Sequence, residues 1–419
     1  MLAAYPTILQ ALGVFTVNNL LGVAFVALLA MRILETRDLE FLRVPAVRML
    51  LVIWVVFIIS EYNSHGAFPL LQASRGKTYA LDRSDQMWHE FRTRLAFLVF
   101  IIAFVRDKAD IKMVHAAFFL GLFAAVPSAV WNLATGNLVR GFRIMSSVTG
   151  GTNPNRLAMI CLIEIACWWC WAHAKPTRLR WGLTCLAVLM SLVTLLGTGS
   201  RSGFLGLFFL GFLLQNSGAA YRLRAGQIAA IGVAGMVILA TVIPPAAVER
   251  MVNFSPERGE IGASSNKLRE DTVWTAVDIA LDHPVLGIGL GNFREVSRQV
   301  YRNKFFRPPH NSALWALTEG GIAVLLAYLA LFAFVWRDLQ RIRQLAVLDE
   351  DLGHVATALR IVFLLVMFFS WFADLWLAPQ TYVLAGLIYV LRRYLENVAR
   401  GTTRTSVAVR PDAPAFALG

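Results

Sequence analysis

The chain is short of charge. Asp, Glu, Lys and Arg make up 16% of its 419 residues, where a soluble domain carries about a quarter. An ordinary water-soluble enzyme is therefore excluded. Acids are the scarcer sign, 26 against 39 Lys and Arg, for a formal charge of +13. No Asp/Glu pair clusters in the loops of the less basic, outer side, so no carboxylate-bound divalent metal is expected there. Cysteine is scarce too. Cys161, Cys167, Cys170 and Cys185 all fall inside apolar runs, which argues against a disulfide framework or a metal cluster. Cys167 and Cys170 have the spacing of a redox motif, but no cation adjoins them to favour a thiolate. No basic residue precedes the first apolar run and no clear cleavage site follows it. The N-terminus reads as a retained span and not as a cleaved leader.

What the chain has is apolar length. It is 57% hydrophobic, and runs of about 18 apolar residues or more recur throughout, the signature of membrane helices. The expected fold is an all-α polytopic membrane protein with eleven or twelve transmembrane helices, resembling a GT-C arrangement, and one long outer loop carrying short amphipathic helices. The predicted spans are 5–31, 44–60, 88–105, 113–134, 154–173, 181–198, 202–217, 226–247, 311–336, 354–376 and 379–393. Asn18 and Asn19 lie inside the first run and would split it to give twelve. The last pair is short, with room to bend at Pro379. Residues 1–399 read as one membrane domain that includes the loop 248–310, and 400–419 as a disordered tail.

Loop charge sets the orientation. The connections 32–43, 106–112, 174–180, 217–225 and 337–352 all carry Lys or Arg clusters and alternate along the chain. That side is cytoplasmic by the positive-inside rule, which absorbs part of the basic excess without nucleic acid. The loops 61–87, 135–153 and 248–310, and the turn at Gly197–Gly203, then face outward.

The outward side holds the candidate chemistry. Residues 254–267 are Gly/Ser/Asn-rich and read as irregular. Val273, Trp274, Val277, Ala280 and Leu281 recur at helical spacing, predicting an amphipathic helix over 268–282 that lies on membrane lipids and covers the site. The glycines of His283–Phe293 resemble a dinucleotide loop, but no strand precedes them, so a tight turn is expected. Arg294, Arg298, Arg302, Lys304 and Arg307 then face a single acid, Glu295. Arg294, Arg298 and Arg302 are four apart, hence on one helical face. A basic run on the outer side runs against the positive-inside rule, so an anionic partner such as lipid phosphate is the economical account.

His310 follows that run. Pro308 and Pro309 stop a helix from extending backwards, and Asn311 or Ser312 can cap the next one. The histidine thus stands at the positive end of a helix, which favours a bound diphosphate and a neutral imidazole able to accept a proton. Arg201 occupies another outward turn, costly so close to the apolar region without an anionic partner. Arg140, Arg143 and Arg156 flank a third outward loop, and Arg269 stands near the amphipathic helix. Guanidiniums converging from separate loops suit a diphosphate. Glu164 and Glu319 are intramembrane acids. Glu319 is nine residues beyond His310, about 180° around an ideal helix, so a structural hydrogen bond to a neighbouring helix is its expected role.

Taken in order, Gly199–Gly203, His283–Phe293 and Pro309–Gly321 resemble the motifs of the O-antigen ligase/polymerase superfamily. The resemblance covers about a quarter of the chain. It implies a metal-independent, cofactor-free glycosyltransferase of the bacterial inner membrane, working on the periplasmic face. Its donor would be an undecaprenyl-diphosphate-linked O-antigen, and in a ligase its acceptor a sugar hydroxyl of lipid A–core oligosaccharide. The resemblance maps the family's key histidine onto His310, its short-turn arginine onto Arg201 and its large-loop arginine onto Arg269. Arg140 and Arg143 join the diphosphate set on position and charge. Arg294, Arg298, Arg302 and Arg307 would steer the phosphorylated acceptor, with Asn311 supporting His310. An O-antigen polymerase, a protein O-oligosaccharyltransferase and a lipid-linked glycan transporter are the alternatives. A transporter would gather its polar groups near the midplane, whereas these gather at one interface.

Overall fold

The computed structural model describes residues 27–35, 39–67, 81–139, 141–147, 153–252, 260–303 and 308–401. Among these it forms helices and no strand. Seven helical segments are long and apolar enough to cross a membrane: Pro45–Tyr62, Lys108–Ala134, Pro154–Ala174, Arg178–Gly197, Ala219–Thr241, Ser312–Leu348 and Glu350–Ser370. The predicted span 202–217 is the shorter apolar helix Arg201–Gln215. The predicted spans 88–105 and 379–393 lie within Leu81–Phe104 and Pro379–Ala399, helices that also carry charged residues. Pro379 opens the last helix and does not bend it, because a proline at the first helical position lacks only an N–H that would have no partner. Most of the first predicted span, and nearly all of the predicted tail, lie outside the described residues.

The helices are numbered α1 (Pro45–Ala67), α2 (Leu81–Phe104), α3 (Lys108–Phe123), α4 (Ala125–Ala134), α5 (Pro154–Ala174), α6 (Arg178–Gly197) and α7 (Arg201–Gln215), then α8 (Ala225–Thr241), α9 (Pro245–Val252), α10 (Glu260–Asp282), α11 (Phe293–Gln299), α12 (Ser312–Leu345), α13 (Glu350–Ser370) and α14 (Pro379–Ala399). α5 is apolar around its whole circumference and is buried on nearly every side, as such a helix must be. It packs on α6, α7 and α13, while α12 packs on α1 and α14. Glu164 is fully buried within α5. Three of the cysteines are buried there as well, and Cys185 is exposed on α6.

α12 is the element that shapes the end that carries His310. At 34 residues it is longer than a membrane needs, about 20 residues. It is broken at Gly321, whose φ of 66° and ψ of −168° are not helical. The break orphans backbone groups, and each buried one left unpaired would cost about 1–3 kcal/mol. The glycine-rich turn supplies the partners. Ile288 N donates to Thr318 O (3.0 Å), Gly289 N to Glu319 O (2.9 Å), and Ile322 N donates to Pro284 O (2.8 Å).

The two backbones meet so closely that side chains are barred. A Cβ on Gly321 would stand 2.1 Å from Val285 O, and one on Gly287 would stand 2.5 Å from the carbonyl carbon of Glu319. Both glycines have positive φ, a region open to Gly at no steric cost. The turn expected at His283–Phe293 is therefore present, and its glycines serve helix packing. Residues 322–345 still suffice to span about 30 Å at 1.5 Å per residue. The segment 312–320 becomes a separate half-helix that carries His310 at its head. The span predicted at 311–336 is thus two pieces.

Candidate active site at the outer ends of the helices

Three helix N-termini are capped at this end. Asn153 accepts from Asn155 N on α5, Ser200 from Gly203 N on α7, and Asn311 from Leu314 N on α12. The supporting role expected of Asn311 is therefore that of a cap. Each cap satisfies one donor and leaves the positive end of the helix dipole in place. The caps are also joined. Ser200 Oγ donates to Asn155 Oδ1 at 2.8 Å. Arg143 is buried, donating from Nε to Thr198 O at 2.7 Å and from Nη2 to Asn155 Oδ1 at 3.5 Å. Ile144 N reaches Gly197 O at 2.9 Å. The segments around 143, 155 and 200 are thereby one unit. Arg201 opens α7 and donates from Nε to Arg250 O at 3.0 Å, which ties α9 to the same corner.

His310 is adjacent to this corner through the loop that joins α13 to α14. Its Nδ1 lies 3.0 Å from Asp374 Oδ2, with the two side chains 20% and 13% exposed. Arg156, in the first turn of α5, donates from Nη2 to Asp374 O at 3.1 Å. Ser312 Oγ donates to Ala373 O (2.8 Å) and accepts from Leu375 N (2.9 Å), clamping the same loop to the head of α12. Arg94 on α2 holds the far end of the loop, donating from Nε to Leu377 O at 2.9 Å. The backbone of His310 has φ 53°, a left-handed conformation costing an L-residue about 1–2 kcal/mol. It turns the chain sharply between the proline pair and the half-helix, and so sets the imidazole beside Asp374.

Chemically this is a histidine with a carboxylate on one ring nitrogen, at the positive ends of several helices and near guanidiniums from separate elements. A carboxylate on Nδ1 favours the tautomer protonated there, which leaves Nε2 as the lone-pair nitrogen.

The other candidates distribute as follows. Arg269 is half-buried on α10, which packs against α12. Arg140 and Arg307 lie outside the described residues. Arg294 and Arg298 are on α11, but Arg302 is not on their face. The helix ends at Gln299, and Arg302 has φ 53°. The reason is a strap back to α10, where Tyr301 Oη donates to Asp282 Oδ2 (2.6 Å) and Asn303 Nδ2 to Thr275 Oγ1 (2.9 Å). Burial and the bond to Asp282 hold the Tyr301 phenol well above its ordinary pKa.

α10 also departs from expectation. It starts at Glu260, so 260–267 is helical and not irregular, and it buries Ala276, Ile279 and Ala280 while exposing Trp274 and Leu281. Glu319 makes the structural hydrogen bond to a neighbouring helix that was expected of it. Its Oε1 accepts from Phe293 N at 3.4 Å, at the first residue of α11 beyond the glycine turn.

Sequence reasoning missed Asp374, and it left Arg94 and Arg156 out of the site. Asp374 carried a signal: it is the lone acid of an otherwise apolar connection, 371–378, on the outward side.

Residues 185–329 match the family model described as O-Antigen ligase. The match supports the O-antigen ligase superfamily and a glycosyltransferase of its ligase or polymerase type. It covers about a third of the chain and includes Arg201, Arg269, the glycine turn, His310 and Gly321. Asp374, Arg143 and Arg156 fall outside the family segment. No curated protein matches the chain.

Proposed function

We propose that the protein is an O-antigen ligase, transferring a glycan from undecaprenyl diphosphate to a sugar hydroxyl of lipid A–core oligosaccharide on the periplasmic side of the bacterial inner membrane. The observation that carries this is the His310–Asp374 contact, set among guanidiniums inside and beside the family segment. In this reading the Asp374 carboxylate, 3.0 Å from Nδ1, favours a proton on that nitrogen, and Nε2 of His310 accepts the proton of the acceptor hydroxyl. The acceptor oxygen then forms its bond to the anomeric carbon as that carbon's bond to the diphosphate oxygen breaks, inverting the centre. The electron pair leaves with the polyprenyl diphosphate. Arg201, Arg269 and Arg143, with Arg140, stabilise the charge that grows there. The already activated diphosphate supplies the driving force, so no nucleotide, cofactor or metal is required. Arg294, Arg298, Arg302 and Arg307 steer the phosphorylated acceptor toward the site.

His310→Ala is expected to abolish transfer while leaving expression and membrane insertion unchanged. The readout is lipopolysaccharide banding in a strain whose own gene is deleted and complemented by the variant. Bare core with polymer retained on its lipid carrier is the ligase result. Core bearing a single repeat would mean a polymerase. Wild-type banding from the variant would remove His310 from the mechanism.

A further inference from the structure

The end of the bundle opposite His310 holds a cavity of about 380 Å³ between α3, α5 and α13, within the range of ligand sites. Its inner wall is apolar, built by Phe119, Trp168 and Ala358. Leu120 also lines it and is 55% exposed, so on a membrane helix the mouth opens toward acyl chains.

The rim is basic. Lys112, Lys175 and Arg180 stand against one carboxylate, Asp351. Lys112 Nζ is engaged by Asp351 at 2.8 Å. Lys175, exposed, follows α5. Arg180 lies 4.6 Å over the Trp171 ring and donates to Trp171 O at 3.2 Å, which fixes its guanidinium at the rim. All of these residues come from the ends of spans at the side where Lys and Arg collect. An apolar slot open to the hydrocarbon, under cations at headgroup level, matches a lipid with an anionic head.

We infer that this cavity is a binding site for an anionic diacyl phospholipid of the leaflet on the basic side. One acyl chain lies along Phe119 and Trp168, and the phosphate sits at Lys175 and Arg180. The site is independent of the transfer chemistry.

The test is native mass spectrometry of the full chain in neutral detergent, titrated with palmitoyl-oleoyl phosphatidylglycerol or with the matching phosphatidylcholine. The expected result is one phosphatidylglycerol retained with a preference of about thirtyfold, the factor two interfacial cations contribute. Lys175→Ala with Arg180→Ala should abolish the preference, and Lys175→Arg with Arg180→Lys should restore most of it. Ala358→Trp should block retention by filling the slot. Arg224→Ala, a cation on the same side that does not line the cavity, should change nothing. Equal retention of both lipids, or a preference unchanged in the double alanine variant, would overturn the site. Displacement of phosphatidylglycerol by undecaprenyl phosphate at lower concentration would overturn the phospholipid assignment.

Discussion

In the proposed reaction, Asp374 is what would make His310 a directed base. A lone imidazole exchanges tautomers and rotates, whereas a carboxylate 3.0 Å from Nδ1 favours the tautomer protonated there. Replacing that carboxylate by an amide keeps the shape and removes the reason for the tautomer. Asp374→Asn is therefore expected to lower the turnover number by about 10²–10⁴-fold. The KM for the lipid-linked donor should stay within a factor of about two, because the diphosphate is held elsewhere. Steady-state assays in detergent with purified donor and acceptor separate the two quantities. A matching rise in KM, or loss of folded protein, would make Asp374 a structural residue only. His310 was legible in the sequence because three local signals agree on it: a basic approach, a proline pair and a capped helix. Asp374 is 64 positions away and acquires its meaning only from packing. Arg156 and Arg94 are similar, each bound to a backbone carbonyl of the 374–377 loop, a partner with no pattern of its own.

At the level of elements, the break in α12 and the glycine-rich turn of the outer loop are two halves of one structure. The hydropathy pattern over 311–336 is continuous, which is why it reads as a single span. Helix continuity depends on backbone angles, and Gly320-Gly321 in an apolar run does not reveal which glycine turns. The spacing of Gly287, Gly289 and Gly291 showed that a turn was required, but not that it would dock into a helix break. The strap of Tyr301 and Asn303 onto α10 was equally hidden, since four-residue spacing predicts a face only while the helix lasts. The interlocked backbones give a sharp expectation. Gly321→Ala should destabilise by more than the roughly 1 kcal/mol typical of a Gly/Ala exchange in a helix, because the clash is with backbone that cannot move aside. Thermal unfolding in detergent should show a large drop in midpoint or no folded fraction. Gly232→Ala in the middle of α8, where an added Cβ meets nothing within 4 Å, should be neutral or slightly stabilising. Equal behaviour of the two variants would mean that the interlock does not hold the half-helix.

Across the whole molecule the two ends of the bundle are built differently. At the His310 end the cations bind carbonyls and surround helix N-termini, as Arg143, Arg156 and Arg201 do. At the other end ion pairs with acids are added, Lys108 with Asp349, Lys112 with Asp351, and Arg392 with Asp338 and Glu396, while Arg180 and Arg393 bind carbonyls there. The proposed function requires the His310 end to face the periplasm. The polarity is measurable by single-cysteine labelling, starting from a chain with its four cysteines replaced by serine. Arg298→Cys, at an exposed position of α11, should react with a membrane-impermeant maleimide added to intact spheroplasts. Arg341→Cys, beyond the far end of the span in α12, should react only after the membrane is permeabilised. The reverse pattern would put His310 in the cytoplasm, away from any periplasmic acceptor, and the ligase reading would fall with it.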